Sequence, residues 1–211
     1  MKTEHTPKRR RGRPPKGTEG YSKTREALVR AGLEVLTEKG FSASGIDEIL
    51  RRVAVPKGSF YHYFASKEAF VVELIDHYAA YFALKLDRYL TDESLSPLLR
   101  LRAFVTDAED GMARHQYKRG CLVGNLGQEI GALPEIFRCR LEAVFADWQD
   151  RVEKCLLAAK KAGEISPWAQ CNKLSAVFWI GWEGAVLRAR LEQSPKPLKA
   201  FAEFFLTEIA H

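Results

Sequence analysis

The sequence predicts an all-α protein. Apolar residues recur at helical spacing along most of the chain, strand-type alternation is weak, and glycines and prolines fall between the periodic stretches. A chain of 211 residues is long enough for a small helical head and a larger helical domain, and it contains no internal repeat. No stretch approaches the roughly twenty apolar residues needed to cross a bilayer, so a cytoplasmic protein with no membrane partner is expected.

The elements follow in order. Ser22 to Lys39 reads as an amphipathic helix, with Val29, Leu33 and Leu36 on one apolar edge and Leu28, Ala31 and Val35 beside it. Gly40-Phe41 stops it. Ser44-Gly45-Ile46-Asp47 reads as a capping-box-like start, and Ile46, Ile49, Leu50 and Val53 supply the spacing of a short helix. Ala54-Val55-Pro56 is a turn of the length that joins two helices of a helix-turn-helix, and Pro56 can open the third helix because its first residue needs no amide donor. Phe60 and Phe64 lie four apart and face one core. Lys57, Ser59, Tyr61, His62 and Tyr63 make the other face, rich in donors and without an acid. Such a face suits an acidic surface, and nucleic acid is the natural candidate.

A long helix is expected from a Ser66 cap to about Leu90, with Phe70, Leu74, Tyr78 and Tyr81 on one face. Ser96-Pro97 opens another, ending near Tyr117. A broken stretch starts at Gly120-Cys121, and Leu133-Pro134 begins a long helix to about Ala162. Trp168 to Leu191 and Leu198 to Ile209 complete about nine helices. The last two carry Phe178, Trp179, Trp182, Leu187 and Leu191, then Phe201, Phe204 and Phe205. Helices apolar on more than one face are buried on most sides, which points to a second subunit.

The first seventeen residues hold Lys2, Lys8, Arg9, Arg10, Arg11, Arg13 and Lys16 against Glu4 alone. Their surplus of six positive charges equals the net charge of the whole chain, +6. With Pro7, Pro14 and Pro15 interspersed, this arm cannot bury a core, and the prolines deny it the amphipathic helix of a transit peptide. Arg11-Gly12-Arg13-Pro14 resembles the AT-hook core, in which arginines flanking a glycine settle into a narrow minor groove. The alternative is a polybasic tail that adds affinity through counterion release.

Residues Thr24 to about Ala80 resemble the DNA-binding domain of the TetR family of transcriptional repressors. The resemblance rests on Thr24-Arg25 at the first helix, Gly40-Phe41 at its end, Lys57-Gly58-Ser59-Phe60-Tyr61-His62-Tyr63-Phe64, and Ser66-Lys67-Glu68 beyond. Two positions depart from the family pattern: Ala54 stands in place of the usual turn glycine, and Pro56 in place of a capping serine. The resemblance implies a third helix docked in the major groove. Lys57, Gly58 and Ser59 would meet base edges or phosphates, and Tyr61, His62, Tyr63 and Lys67 the sugar-phosphate backbone, with Ser44 either a further contact or only a cap. It also implies three segments: an arm over 1–21, a helix-turn-helix domain over 22–82, and an effector-binding and dimerisation domain over 83–211. The family pairs its last two long helices into a four-helix dimer interface, so a homodimer on a palindromic double-stranded operator is expected.

Between head and dimer helices lies Arg119-Gly120-Cys121-Leu122-Val123-Gly124-Asn125-Leu126-Gly127-Gln128-Glu129-Ile130-Gly131. Its glycines either let the backbone approach a small ligand or allow a close helix crossing. Gly120-Cys121-Leu122, together with Pro56 to Phe70, resembles a narrower group of the family, the AcuR-like and NemR-like repressors that respond to acrylate or to reactive carbonyls and oxidants. In oxidant-sensing members a cysteine at this place is the sensor, which maps to Cys121. A sensor thiol must be partly ionised and reachable. Arg119 and Lys118 stand close enough in sequence to favour a thiolate, whereas free cysteines are also commonly buried and inert.

Tyr117, Arg119, Cys121, Asn125, Gln128, Trp148 and Trp182 are the candidate effector residues, and Glu183 is either one more or an ion-pair partner for Arg188 or Arg190. Cys139, Cys155 and Cys171 sit far apart with no C-x-x-C. That excludes a recognisable zinc site and suits reduced thiols, so no metal or cofactor is expected. No nucleophile–base set presents itself, and His77 and His115 lack an evident partner. The expected function is therefore a repressor that leaves its operator on binding a small effector. A thiol-based sensor and an architectural DNA-binding protein stand as alternatives, and an enzyme is not expected.

Overall fold

A computed structural model of the chain describes residues 18–210; Arg11 and Arg13, with the rest of the arm's basic run, lie outside the described residues. Eight α-helices and two short 3₁₀ helices make up the described residues, with no strand among them. The α-helices are α1 (Thr18–Lys39), α2 (Ile46–Arg52), α3 (Lys67–Leu90), α4 (Pro97–Arg114), α5 (Leu122–Gln128), α6 (Glu135–Lys161), α7 (Cys171–Glu192) and α8 (Lys196–Ile209). None of them is long and apolar enough to cross a membrane.

Local chemistry explains most boundaries. Ser66 caps α3 by accepting a hydrogen bond from the Ala69 amide at 3.0 Å, as N-cap serines do. Gly40 ends α1 with φ +78°, the left-handed conformation that glycine adopts without steric cost. Trp168, expected inside α7, precedes it in a turn and is 87% exposed.

Two expectations for the head are corrected. Gly45, not Ser44, occupies the cap position of α2. Ser44 is buried and its hydroxyl donates to the Gly40 carbonyl, so it closes the α1–α2 loop. The third helix, Lys57–His62, is 3₁₀ rather than α. Ser59 N–H donates to Pro56 O and Tyr63 N–H to Phe60 O, each at 2.9 Å, the i→i+3 pattern that tightens a short helix. The turn before it survives without its glycine because Ala54 itself takes φ +52°, at a steric cost that a single residue can bear.

Phe60 and Phe64 are buried as their spacing requires and pack with Phe70. α3 continues without a break from this head into the body, so the expected division near residue 82 falls within one helix. In the body, α3, α4, α6 and α7 enclose a cluster of Phe82, Phe104, Trp148 and Trp179. α1 packs across α2, α3 and α5, so its C-terminal half lies between head and body.

The end of α1 is held from the body side. Helix C-termini leave carbonyls without intrahelical partners, and here the body supplies donors. The Asn125 side-chain amide donates to Leu36 O at 3.1 Å and Thr37 O at 3.0 Å. Gly120 N–H also donates to Thr37 O at 3.1 Å, and Arg190 Nη2 to Glu38 O at 2.8 Å. In the loop that follows, the Glu129 carboxylate accepts from the Phe41 and Ser42 amides at 2.9 and 2.7 Å. A side chain on Gly40 would collide with that carboxylate.

Glu129→Ala strands two loop amides at the junction. Bonds to a charged acceptor contribute about 1.5–3 kcal/mol each, reduced here because Ser42 is exposed, so a loss of about 2 kcal/mol is expected. Urea unfolding should show a lower midpoint with an unchanged slope; an unshifted midpoint would mean that water replaces the carboxylate without loss.

Candidate functional site

Two features stand out: a DNA-suited face on the head and a cavity beneath it. On the 3₁₀ helix, Lys57, Gly58, Tyr61 and His62 are exposed. The remaining residues expected to touch DNA are turned inward. Ser59 and Tyr63 are buried, and Tyr63 stacks on Tyr21 with ring centroids 4.8 Å apart. Lys67 donates to Phe41 O and Ser44 O at 3.3 and 3.0 Å and lies over the Phe41 ring. Burial lowers its pKa. Ser44, Tyr63 and Lys67 thus have partners within the head, and Ser59 is buried. Sequence reasoning passed over Tyr21. Its hydroxyl donates to His62 O at 3.0 Å, tying the first turn of α1, where the basic arm ends, to the exposed 3₁₀ helix.

The cavity has a volume of about 390 Å³, within the range of small-molecule sites. α1 contributes Leu33, Glu34 and Thr37; α3 contributes Tyr78, Phe82 and Lys85; α4 contributes Met112 and Arg114, with His115 just beyond its end; α7 contributes Trp182 and Glu183. Arg119, Gly120 and Cys121 complete the wall. Of the expected effector residues, Arg119, Cys121 and Trp182 meet here.

Four others do not reach it. Trp148 is fully buried among Tyr78, Phe82, Phe145 and Trp179. Asn125 is engaged with the α1 carbonyls and with Arg190, which donates to its Oδ1 at 2.7 Å. Gln128 is exposed and donates to Gly124 O. Tyr117, with φ +56°, lies in a separate hollow beside Lys118 and Leu187. Two glycines of this segment mark close crossings: a side chain on Gly120 would strike Arg190, and one on Gly124 would strike Glu183, whereas Gly127 and Gly131 face open space.

Glu183 pairs with neither arginine expected for it. Arg188 bonds Glu192 at 2.5 Å, and Arg190 bonds Asn125 and Glu38 O. Instead Tyr78, Cys121 and Glu183 gather at one buried place and influence one another electrostatically, while the Cys121 thiol accepts from the Gly124 amide at 3.4 Å. Burial, which disfavours a charge away from water, pushes the Glu183 carboxyl up to about 7. Burial, and then the charge of Glu183, push the Cys121 thiol well above its usual range. The thiolate expected from neighbouring Arg119 is disfavoured, because that guanidinium is directed to Glu38 at 3.0 Å and Glu34 at 3.7 Å. No group of three metal-ligating side chains occurs among the described residues.

The raised carboxyl fixes the sign of a pH effect. In the folded protein Glu183 keeps a proton that the unfolded chain releases near 4.5, so stability falls as pH rises from about 4.5 to about 7 and stays lower above. At about 1.4 kcal/mol per pKa unit the effect is on the order of 3 kcal/mol. Glu183→Gln should melt higher than the unsubstituted protein at pH 8 and nearly with it at pH 5. Equal differences at both pH values would show that the carboxyl does not titrate in this window.

Comparison with known proteins agrees with this architecture. Residues 28–74 match the family model for bacterial regulatory proteins of the tetR family, and residues 97–205 that for the tetracyclin repressor-like C-terminal domain. The chain is 54% identical over 198 residues to the transcriptional regulator AcuR of Cereibacter sphaeroides, covering 94% of this chain and 90% of that one. It is 30% identical over 177 residues to the HTH-type transcriptional repressor NemR of Escherichia coli, covering 83% and 88%. The crystal structure of a regulatory protein TetR from Rhodobacter sphaeroides superposes with a TM-score of 0.85 at 53% identity, covering 87% of this chain and 97% of that one. A helix-turn-helix head, an all-helical body and relatives that are regulators rather than enzymes lead to one conclusion: the chain belongs to the TetR family of DNA-binding transcriptional repressors.

Proposed function

We propose that the chain is a cytoplasmic, homodimeric repressor that leaves a palindromic operator when a small carboxylate of the acrylate type fills the cavity. The observation that carries this reading is the shared wall: α1 of the head and α4 and α7 of the body line the same space. A ligand there makes different contacts in different head positions, which is the requirement for shifting an equilibrium. The lining sets Lys85, Arg114 and Arg119, with His115, against the carboxyls Glu34 and Glu183, a small basic surplus suited to a single anion. The basic charge is partly met already, Lys85 by Asp107 at 2.5 Å.

On DNA, Lys57, Gly58, Tyr61 and His62 approach the major groove, and Arg11 and Arg13 the flanking minor groove. Two heads must then match half-sites about 34–36 Å apart. Dimerisation is supported by apolar side chains left uncovered on α7 and α8. Val177, Ile180 and Leu191 are 53%, 74% and 75% exposed, and Phe204 is 66% exposed. Val177, Ile180 and Leu191 share one side of α7 by their spacing, and uncovered apolar faces of this kind mark protein interfaces.

Purified protein bound to the DNA upstream of its own gene should be released by millimolar acrylate under reducing conditions, as read by fluorescence anisotropy. Cys121→Ser should respond within about threefold of the parent, since the thiol is held protonated. Release only by a mild electrophile, lost in Cys121→Ser, would replace this reading with thiol sensing. Tight binding with little sequence preference and no release would favour an architectural role.

Ile180→Glu places a charge in the α7 face. Light scattering should report a monomer, with operator affinity reduced at least tenfold because one head alone reads a half-site. A dimer of unchanged stability would move the interface elsewhere.

A further inference from the structure

The cavity wall and the helix-turn-helix share a set of charges. Glu34 and Glu38 lie one turn apart on α1, so they face the same way. From the body, Arg119 bonds Glu38 Oε1 through Nε at 3.0 Å and lies 3.7 Å from Glu34 Oε2. From the head, Arg52 bonds Glu38 Oε2 at 3.0 Å and lies 3.4 Å from Glu34 Oε2. Both carboxylates are thus divided between the same two guanidinium groups. Burial alone would raise the Glu38 pKa, but hydrogen bonds from Arg52 and Arg119 hold it below the usual range.

The placement of the two arginines gives the set a direction. Arg119 and Glu34 line the cavity. Arg52 is the last residue of α2, immediately before the turn through Ala54 and Pro56 that delivers the exposed 3₁₀ helix. Arg52 also reaches Glu48 at 3.3 Å, so it already serves three carboxylates.

We infer that Arg119, Glu34, Glu38 and Arg52 form a charge relay that reports occupancy of the cavity at the turn preceding the DNA-facing helix. The inference rests on the cavity being the effector site. An anionic ligand that draws Arg119 toward itself leaves Glu34 and Glu38 with Arg52 as their remaining shared cation. Arg52 then shifts toward α1, and the end of α2 shifts with it. A guanidinium suits this role because its planar fork can divide donors between two acceptors.

The relay can be tested without any effector. An operator is selected from a randomised duplex pool with the wild-type protein, and its affinity is measured for single and double variants. Arg119→Met removes the cation that a ligand would occupy, and should weaken binding about fivefold or more, the lower end of typical allosteric coupling. Adding Glu38→Gln removes the stranded carboxylate and should restore affinity to within about twofold. Lys118→Met, which removes an exposed charge next door, should bind within about twofold of wild type.

A merely structural Arg119 would not be rescued by a second loss of an interaction. Wild-type affinity in Arg119→Met, or a double variant no better than the single, overturns the relay. So does equal weakening in Lys118→Met. If Arg119→Met proves unfolded by circular dichroism, Arg119→Gln, alone and with Glu38→Gln, takes its place. The relay then requires the double variant to bind more tightly than the single, and equal affinities overturn it. Failure of acrylate to release the wild-type protein would count against the effector reading alone, since the ligand-free measurements decide the relay.

Discussion

Everything between head and body depends on how the last turn of α1 is satisfied. A helix end inside a protein needs donors for its free carbonyls, and these come almost wholly from residues some eighty or more positions away: Asn125, Gly120 and Arg190. Because hydrogen bonds are directional, this arrangement fixes the angle of α1 as well as its position. The loop that follows is fixed in turn by Glu129 from the body and Lys67 from α3. The head cannot tilt without disturbing a polar set that also borders the cavity, which is the physical ground for the coupling proposed between the two.

The part of this fold that local chemistry controls is legible in the sequence. The Ser66 cap, the Gly40 stop and the fourfold spacing of Phe60 and Phe64 act within a few residues, and the helices they delimit stand where those signals lie. The 3₁₀ form of the third helix was not legible, since the choice between i→i+3 and i→i+4 bonds in six residues depends on how Phe60 and Phe64 seat in the core. Side chains whose roles involve distant partners were equally hidden. Lys67 and Tyr63 look like backbone-contacting residues from a motif, yet loop carbonyls and the Tyr21 ring claim them.

The cavity illustrates the same limit. Arg119, Cys121 and Trp182 stood out as chemistry-bearing residues among aliphatics, and they do line it. Trp148 stood out for the same reason and is plain core. Glu34, Tyr78 and Lys85 come from helices whose amphipathic patterns look ordinary, because only the crossing of α1, α3, α4 and α7 brings them to one space. Glu183 was visible as an acid in an apolar stretch. Its thiol partner was not, since a close approach over Gly124 joins α5 to α7 across sixty residues of chain.

α3 has a further consequence as a lever. It is unbroken over 24 residues, which at 1.5 Å per residue is a rod of roughly 35 Å. Its N-terminal end carries the head and its middle touches the cavity through Tyr78 and Phe82. A pivot of about 5° along such a rod moves its far end by roughly 3 Å, an angle that side-chain rearrangement around a small ligand can supply. In the proposed dimer two such rods would diverge together, and the mechanical gain would then come from helix length and not from any large local movement.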